Sequence, residues 1–201
     1  MSALYLGMGS RIMNSLGVLL ILCACRGREA PPAATSADHS APQVHLAEYG
    51  GKVFDLKEQR GNVVLLFFGY THCPDICATT LADFAGVRHR LGPRADQVKF
   101  VFISIDPRRD TPQATQQYAR GFDHSFIGLS GDSTAIAKIE RDFHVASYAE
   151  KDSAGQYTVA HSGSVFVIGK DGGLTETLPF SGPAEETLFE LTDTALRAEG
   201  Q

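Results

Sequence analysis

The chain has 201 residues, 43% hydrophobic and 20% charged, with 18 Lys and Arg against 23 Asp and Glu. That length and composition support one ordinary globular core with short appendages, and a net charge of −5 argues against a nucleic-acid partner, which usually calls for a basic face. Four cysteines, in the pairs Cys23/Cys25 and Cys73/Cys77, are too few for a disulfide-stapled fold.

Residues 1–25 read as an export signal outside the fold. Arg11 gives a modest positive start, and residues 16–22 (LGVLLIL) form an apolar stretch too short to cross a bilayer comfortably. The stretch runs into Leu22-Cys23-Ala24-Cys25, which resembles the bacterial lipoprotein cleavage box. On that resemblance Cys25 becomes the lipidated first residue of a protein anchored on the periplasmic side of a membrane. An ordinary secretory signal and an uncleaved anchor are the alternatives, and all three place the remainder outside the cytoplasm. Residues 26–43, rich in Ala, Pro and Ser without an apolar period, read as a flexible tether. His39 within it and His45 beside it read as solvated.

The domain is expected over residues 44–201, opening with a short strand or hairpin over 44–55 that turns at Gly50-Gly51. Residues 63–69 (VVLLFFG) form an unbroken apolar run, the mark of a strand buried on both faces. A helix is predicted over 74–91, with Pro74 at its first position, where the missing N–H costs nothing. A second buried strand spans 98–105 and stops at Asp106-Pro107. Helix 111–121 has Thr111 as its cap and Pro112 at its first position, a short strand covers 126–129, and helix 132–143 is capped by Asp132 or Ser133 with Ile136 and Ile139 facing inward. Strands 165–168 and 174–178 form a hairpin across Lys170-Asp171-Gly172-Gly173, and a last helix covers 183–198. Strands separated by helices, closed by a hairpin, give a mixed central sheet flanked by helices. With a cysteine pair at the carboxyl end of a strand, before a helix, the arrangement is thioredoxin-like, with an added N-terminal hairpin.

Cys73 and Cys77 lie one helical turn apart on one face of the expected helix N-terminus, where the dipole favours thiolate over thiol. Thioredoxin-type redox sites use Cys-x-x-Cys, so the extra residue here widens the loop. A disulfide is still within reach, since Cα atoms one turn apart are about 6 Å from each other. The same loop lets both thiolates address one metal. Two thiolates with an imidazole form a soft, low-coordinate set that suits copper in either oxidation state better than magnesium or calcium.

The third donor has five histidine candidates. His72 adjoins Cys73 but is expected to point away from it. His89 falls late in the helix after Cys77, and His124 and His144 sit in polar stretches. His161, on an expected loop just before strand 165–168, is placed to face the cysteine turn. Asp106 reads either as a carboxylate at the rim of the site, supporting the ligands or meeting a partner, or as a turn residue bonding its own backbone. Asp75 reads as an exposed acid of the helix start that favours the dipole or serves docking. Arg108 and Arg109 read as a solvated loop facing an acidic partner, and Phe67, Phe68, Phe100 and Phe102 as core.

The stretches FFGYTHCPDICATTL, VFISIDPRRDTP and YTVAHSGSVFVIGKDG together resemble the Sco/SenC family of copper-binding proteins. The resemblance covers about residues 44–198. It implies a membrane-anchored thioredoxin-like domain that binds copper through Cys73, Cys77 and His161. It further implies delivery to the dinuclear copper site of cytochrome c oxidase subunit II, and traffic with other copper chaperones or thioredoxin-like reductants. This chain departs from many members in having Ala78 after the second cysteine instead of proline, and Ala160 before the histidine instead of aspartate. The rival reading is a thiol–disulfide oxidoreductase, with Cys73 and Cys77 as a redox-active disulfide that keeps the target's cysteines reduced. A thiol peroxidase lacks its partner arginine, a structural zinc site lacks a fourth ligand, and an iron–sulfur cluster lacks cysteines once the signal is removed.

Overall fold

The computed structural model describes residues 39–151, 157–179 and 184–198. The expected export signal, Cys25, the first part of the expected tether and Pro183 lie outside the described residues. Nine strands are described: β1 (His45–Ala47), β2 (Val53–Asp55), β3 (Val63–Gly69), β4 (Val98–Ser104), β5 (Ile127–Leu129), β6 (Ser147–Lys151), β7 (Tyr157–His161), β8 (Ser164–Ile168) and β9 (Leu174–Pro179). Four α-helices accompany them, α1 (Ile76–Leu91), α2 (Pro112–Arg120), α3 (Ser133–Asp142) and α4 (Glu185–Arg197), with short 3-10 turns at Leu56–Gln59 and Gly92–Gln97.

The central sheet has the order β5-β4-β3-β8-β9. β3 runs parallel to β4, and β4 to β5, while β8 and β9 run antiparallel. The sheet is therefore mixed and flanked by helices, as the alternation of elements implies. All seven residues of β3 are buried, which is why its sequence is apolar without alternation. Phe67, Phe68, Phe100 and Phe102 lie in the core. Along α1, Cys77, Thr80, Leu81, Phe84, Val87 and Leu91 are buried, a helical stripe that seats this helix on the sheet. Thr111 caps α2 through its side chain with Pro112 at the first position, and Asp132 caps α3 by accepting from Thr134 N and Ala135 N at 2.8 Å.

Four expectations need correction. Helix α1 starts at Ile76 with Asp75 as its cap residue, so Pro74 and Cys73 belong to the preceding loop. The end of the tether is packed: Ala41 is buried and its N–H donates to Gly172 O at 2.9 Å, while Leu174 N donates to His39 O at 2.8 Å. His161 closes a strand instead of sitting in a loop, because β6 and β7 form an antiparallel pair that pattern reading misses. Every residue of β6 is exposed or only partly buried, so it carries no apolar alternation. Finally, Arg109 is not solvated; its side chain packs on Tyr157 and bonds Asp106.

Candidate metal centre

Because β3 and β4 are parallel and in register, both end at the same edge of the sheet. Ile105 N donates to Gly69 O at 2.8 Å, which holds the two ends together. The cysteine loop follows β3 directly, and Cys73 N donates to Tyr70 O at 3.2 Å in a tight turn. Gly69 makes room for it: a Cβ there would lie 2.7 Å from Cys77 Sγ and 2.8 Å from Phe102 Cε2.

Asp110 anchors the loop from below. Its side chain is fully buried and accepts from Thr71 N at 2.8 Å, Thr71 Oγ1 at 2.6 Å and Ser104 Oγ at 2.6 Å. A buried carboxylate with several donors is well compensated, and removing it strands those donors. The sequence reading missed Asp110. Its place just before the Thr111-Pro112 helix start reads as punctuation, and only the fold reveals that it faces Thr71.

The structure brings Cys73, Cys77 and His161 together, with Sγ, Sγ and a ring nitrogen all within 4.8 Å of one another. His161 Nε2 lies 3.7 Å from Cys77 Sγ. The other ring nitrogen, Nδ1, is 3.3 Å from Ser162 O. A carbonyl only accepts, so Nδ1 carries the hydrogen and the Nε2 lone pair faces the sulfurs. Phe67 and Tyr70 pack edge-on against the ring at centroid distances of 6.2 and 6.0 Å. Tyr70 is itself buried and accepts Val159 N at 3.2 Å on its hydroxyl, and burial holds its phenol above the ordinary value.

The two sulfurs differ. Cys77 is wholly buried and Cys73 is partly exposed, and both are free thiols. The hydrogen bond from Cys77 lowers the Cys73 thiol to about 4 against the desolvation that opposes it, with help from the backbone N–H groups of Asp75 and Cys77. The same bond, followed by burial, pushes Cys77 up. The pair therefore shares one proton, held on Cys77, with Cys73 as thiolate. Asp75 contributes a main-chain N–H to this, while its side chain is exposed and makes no cap hydrogen bond.

Donor atoms about 2.0–2.3 Å from a metal lie about 3.5–4 Å apart in a trigonal set, and the observed spacing fits such a set with little movement. Two sulfurs and one imidazole match a soft ion, and among the described residues no other group of three such side chains gathers. Asp106 does not join the group. It is buried, bonded to Arg109 and to the Tyr157 hydroxyl, with its own N–H on Ser104 Oγ at 3.1 Å. His72, His89, His124 and His144 are exposed.

A mixed sheet whose first core strand feeds a cysteine loop, with a histidine delivered to that loop from a late hairpin, defines a thioredoxin-like domain with a thiolate–imidazole centre. The chain belongs to the SCO1/SenC family, whose description matches residues 32–196. Its structure resembles that of Bradyrhizobium japonicum ScoI with copper bound, at 33% identity and a TM-score of 0.68, covering 79% of this chain and 98% of that one. It is 31% identical to a SCO2-like protein of Rickettsia conorii over 80% of this chain and 82% of the relative. It is 35% identical to the mitochondrial SCO2 homolog of Bos taurus over 76% of this chain, a match that spans 57% of that longer protein.

Proposed function

We propose that this protein is a copper carrier that holds one copper ion between Cys73 Sγ, Cys77 Sγ and His161 Nε2 and passes it on. The observation that carries this reading is the convergence of those three donors within 4.8 Å, with the imidazole lone pair turned toward the sulfurs. The copper-bound relative of known structure supports the choice of metal. Copper here is cargo. Loading it requires Cys77 to release the proton that it holds, so uptake liberates a proton and needs the reduced pair.

The family resemblance supports the dinuclear copper site of cytochrome c oxidase subunit II as the destination. The resemblance of residues 22–25 to a lipoprotein cleavage box supports a lipid anchor at Cys25 on the periplasmic side of a bacterial membrane. Copper titration of the reduced full-length chain tests the reading. One bound equivalent with sulfur-to-copper charge-transfer absorption is the expected result, and no binding refutes it.

One observation favours a second reading. A partly exposed, low-pKa Cys73 beside a buried, protonated Cys77 is also the arrangement of an attacking and a resolving thiol. In that reading the protein reduces the target's cysteines. Loss of His161 separates the two: thiol–disulfide exchange survives it and copper binding does not.

A further inference from the structure

His161 reaches the cysteines on an arm that the central sheet does not hold. Among the described residues, strands β6 and β7 pair only with each other. Their backbone ladder fixes the arm internally, but its aim depends on how its root is attached to the domain. Val159 seats the middle of β7 in the core and donates its N–H to the Tyr70 hydroxyl at 3.2 Å, and near the start of β7 a second residue ties the root of the arm to the domain. The Tyr157 hydroxyl donates to Asp106 Oδ1 at 2.8 Å, and Tyr157 O accepts from Arg109 Nη1 at 3.0 Å. The Arg109 guanidinium lies 3.8 Å above the Tyr157 ring and 5.6 Å from that of Tyr70. Arg109 Nε in turn bonds Asp106 Oδ2.

Asp106 and Arg109 belong to the loop after β4, next to Asp110, which fixes the cysteine loop. The same short segment thus grips both halves of the metal centre. Stability alone is a poor account of this cluster. Arg109 Nη2 is buried with no hydrogen-bond partner among the described residues, a costly feature for a residue that could otherwise face water.

We infer that Asp106, Arg109 and Tyr157 form a latch that aims the β6–β7 arm, so that all three are positioning residues for His161. None of them touches the three donors; they set the third donor's distance from the first two. With the latch intact His161 Nε2 stands at 3.7 Å from Cys77 Sγ. With it broken, the arm swings and the cysteines alone remain to hold a metal. This rests on the copper reading only for its consequence; the aim of the arm is a property of the metal-free protein.

The test uses the reduced full-length protein with Tyr157→Phe and Arg109→Gln. In the metal-free state, nuclear Overhauser contacts from the His161 ring to the Tyr70 and Phe67 rings are expected to weaken in both variants while circular dichroism stays native. After copper(I) loading, X-ray absorption is expected to find sulfur and nitrogen ligation in wild type, and sulfur alone in Arg109→Gln. Transfer of copper to a chelator is expected to quicken about tenfold in Arg109→Gln, the order of losing a charged hydrogen bond. Should Arg109→Gln not fold, the milder Tyr157→Phe decides the matter. Unchanged ring contacts in the folded variants overturn the latch. A wild-type copper site without nitrogen overturns the copper reading instead, and the metal-free contacts still judge the latch.

Discussion

The Nε2 atom of His161 sits 3.7 Å from the sulfur of Cys77, a residue 84 positions earlier in the chain. Nothing local holds the two together. Cys77 is fixed by the first turn of α1 under the sheet edge, and His161 by the end of a two-stranded arm, so their meeting is a product of the whole fold.

Removing one donor is the direct test of the centre. Cys73→Ser and His161→Ala are each expected to abolish stoichiometric copper binding. Groups that merely support a ligand are worth about 10–100-fold in metal affinity, and a ligand itself is expected to exceed that. Undiminished copper in either purified variant contradicts the assignment.

The shared proton gives a pH signature. The Cys73 thiol is lowered to about 4, whereas a thiol in the unfolded chain titrates near about 8.5. Between these values the folded protein holds one thiolate that the unfolded chain lacks, so the unfolded state binds one more proton and stability rises with pH across the window. The Cys73 contribution is complete above the unfolded value and is lost as pH falls toward about 4. Thiolate absorbance of the reduced protein is expected to show one equivalent at pH 7. A reading of none there, or a Cys73→Ser variant with the same thiolate absorbance, contradicts the asymmetry.

Gly69→Ala is expected to disturb the centre with little effect elsewhere. The new methyl would lie 2.7 Å from Cys77 Sγ and 2.8 Å from a Phe102 ring carbon, so sulfur or ring must shift. Overpacking of this kind costs about 1–3 kcal/mol. Chemical denaturation and copper affinity measured together check it; a variant with unaltered stability and affinity would show that the neighbours yield freely.

Asp110→Ala removes the acceptor of Thr71 N, Thr71 Oγ1 and Ser104 Oγ. Leaving the buried Ser104 hydroxyl unsatisfied costs about 1–3 kcal/mol, the half-buried Thr71 donors can turn to water, and the expected loss is therefore about 1–3 kcal/mol, read from denaturant midpoints. Faster alkylation of Cys73 is expected to accompany it, because the loop that carries the thiol is freed. Wild-type stability would remove Asp110 from the account.

Ala160 lies opposite Tyr148 in the arm, and strand alternation turns it to the face away from that of His161. Ala160→Asp is expected to alter copper retention through charge near the imidazole, by a few-fold at most, about the scale of an exposed charge interaction. Equal release rates to a chelator would exclude that influence.

The strands and helices of the core were largely legible because burial leaves a plain signature. The runs that became β3 and β4 are apolar throughout, and the caps of α2 and α3 carry the residues that the backbone demands. The cysteine pair and the histidine were legible as chemistry-bearing residues. What escaped was held by polar contacts between distant segments. β6 has no apolar face to reveal it and β7 buries only Val159, Asp110 looks like a helix preface, and Arg109 looks like a solvent charge until Tyr157 is placed beneath it. Pro74 misled for a local reason: proline opens many helices, but here the backbone turns once more before the helix begins.

The unequal burial of the two sulfurs imposes an order on any exchange of cargo. An approaching acceptor meets the open Cys73 side first, since Cys77 lies wholly beneath the surface. In the proposed carrier, release would run from the outer sulfur inward, with the inner sulfur as the last point of hold. An acceptor that offered its own thiolate at the outer position would then take over without the ion passing bare through water.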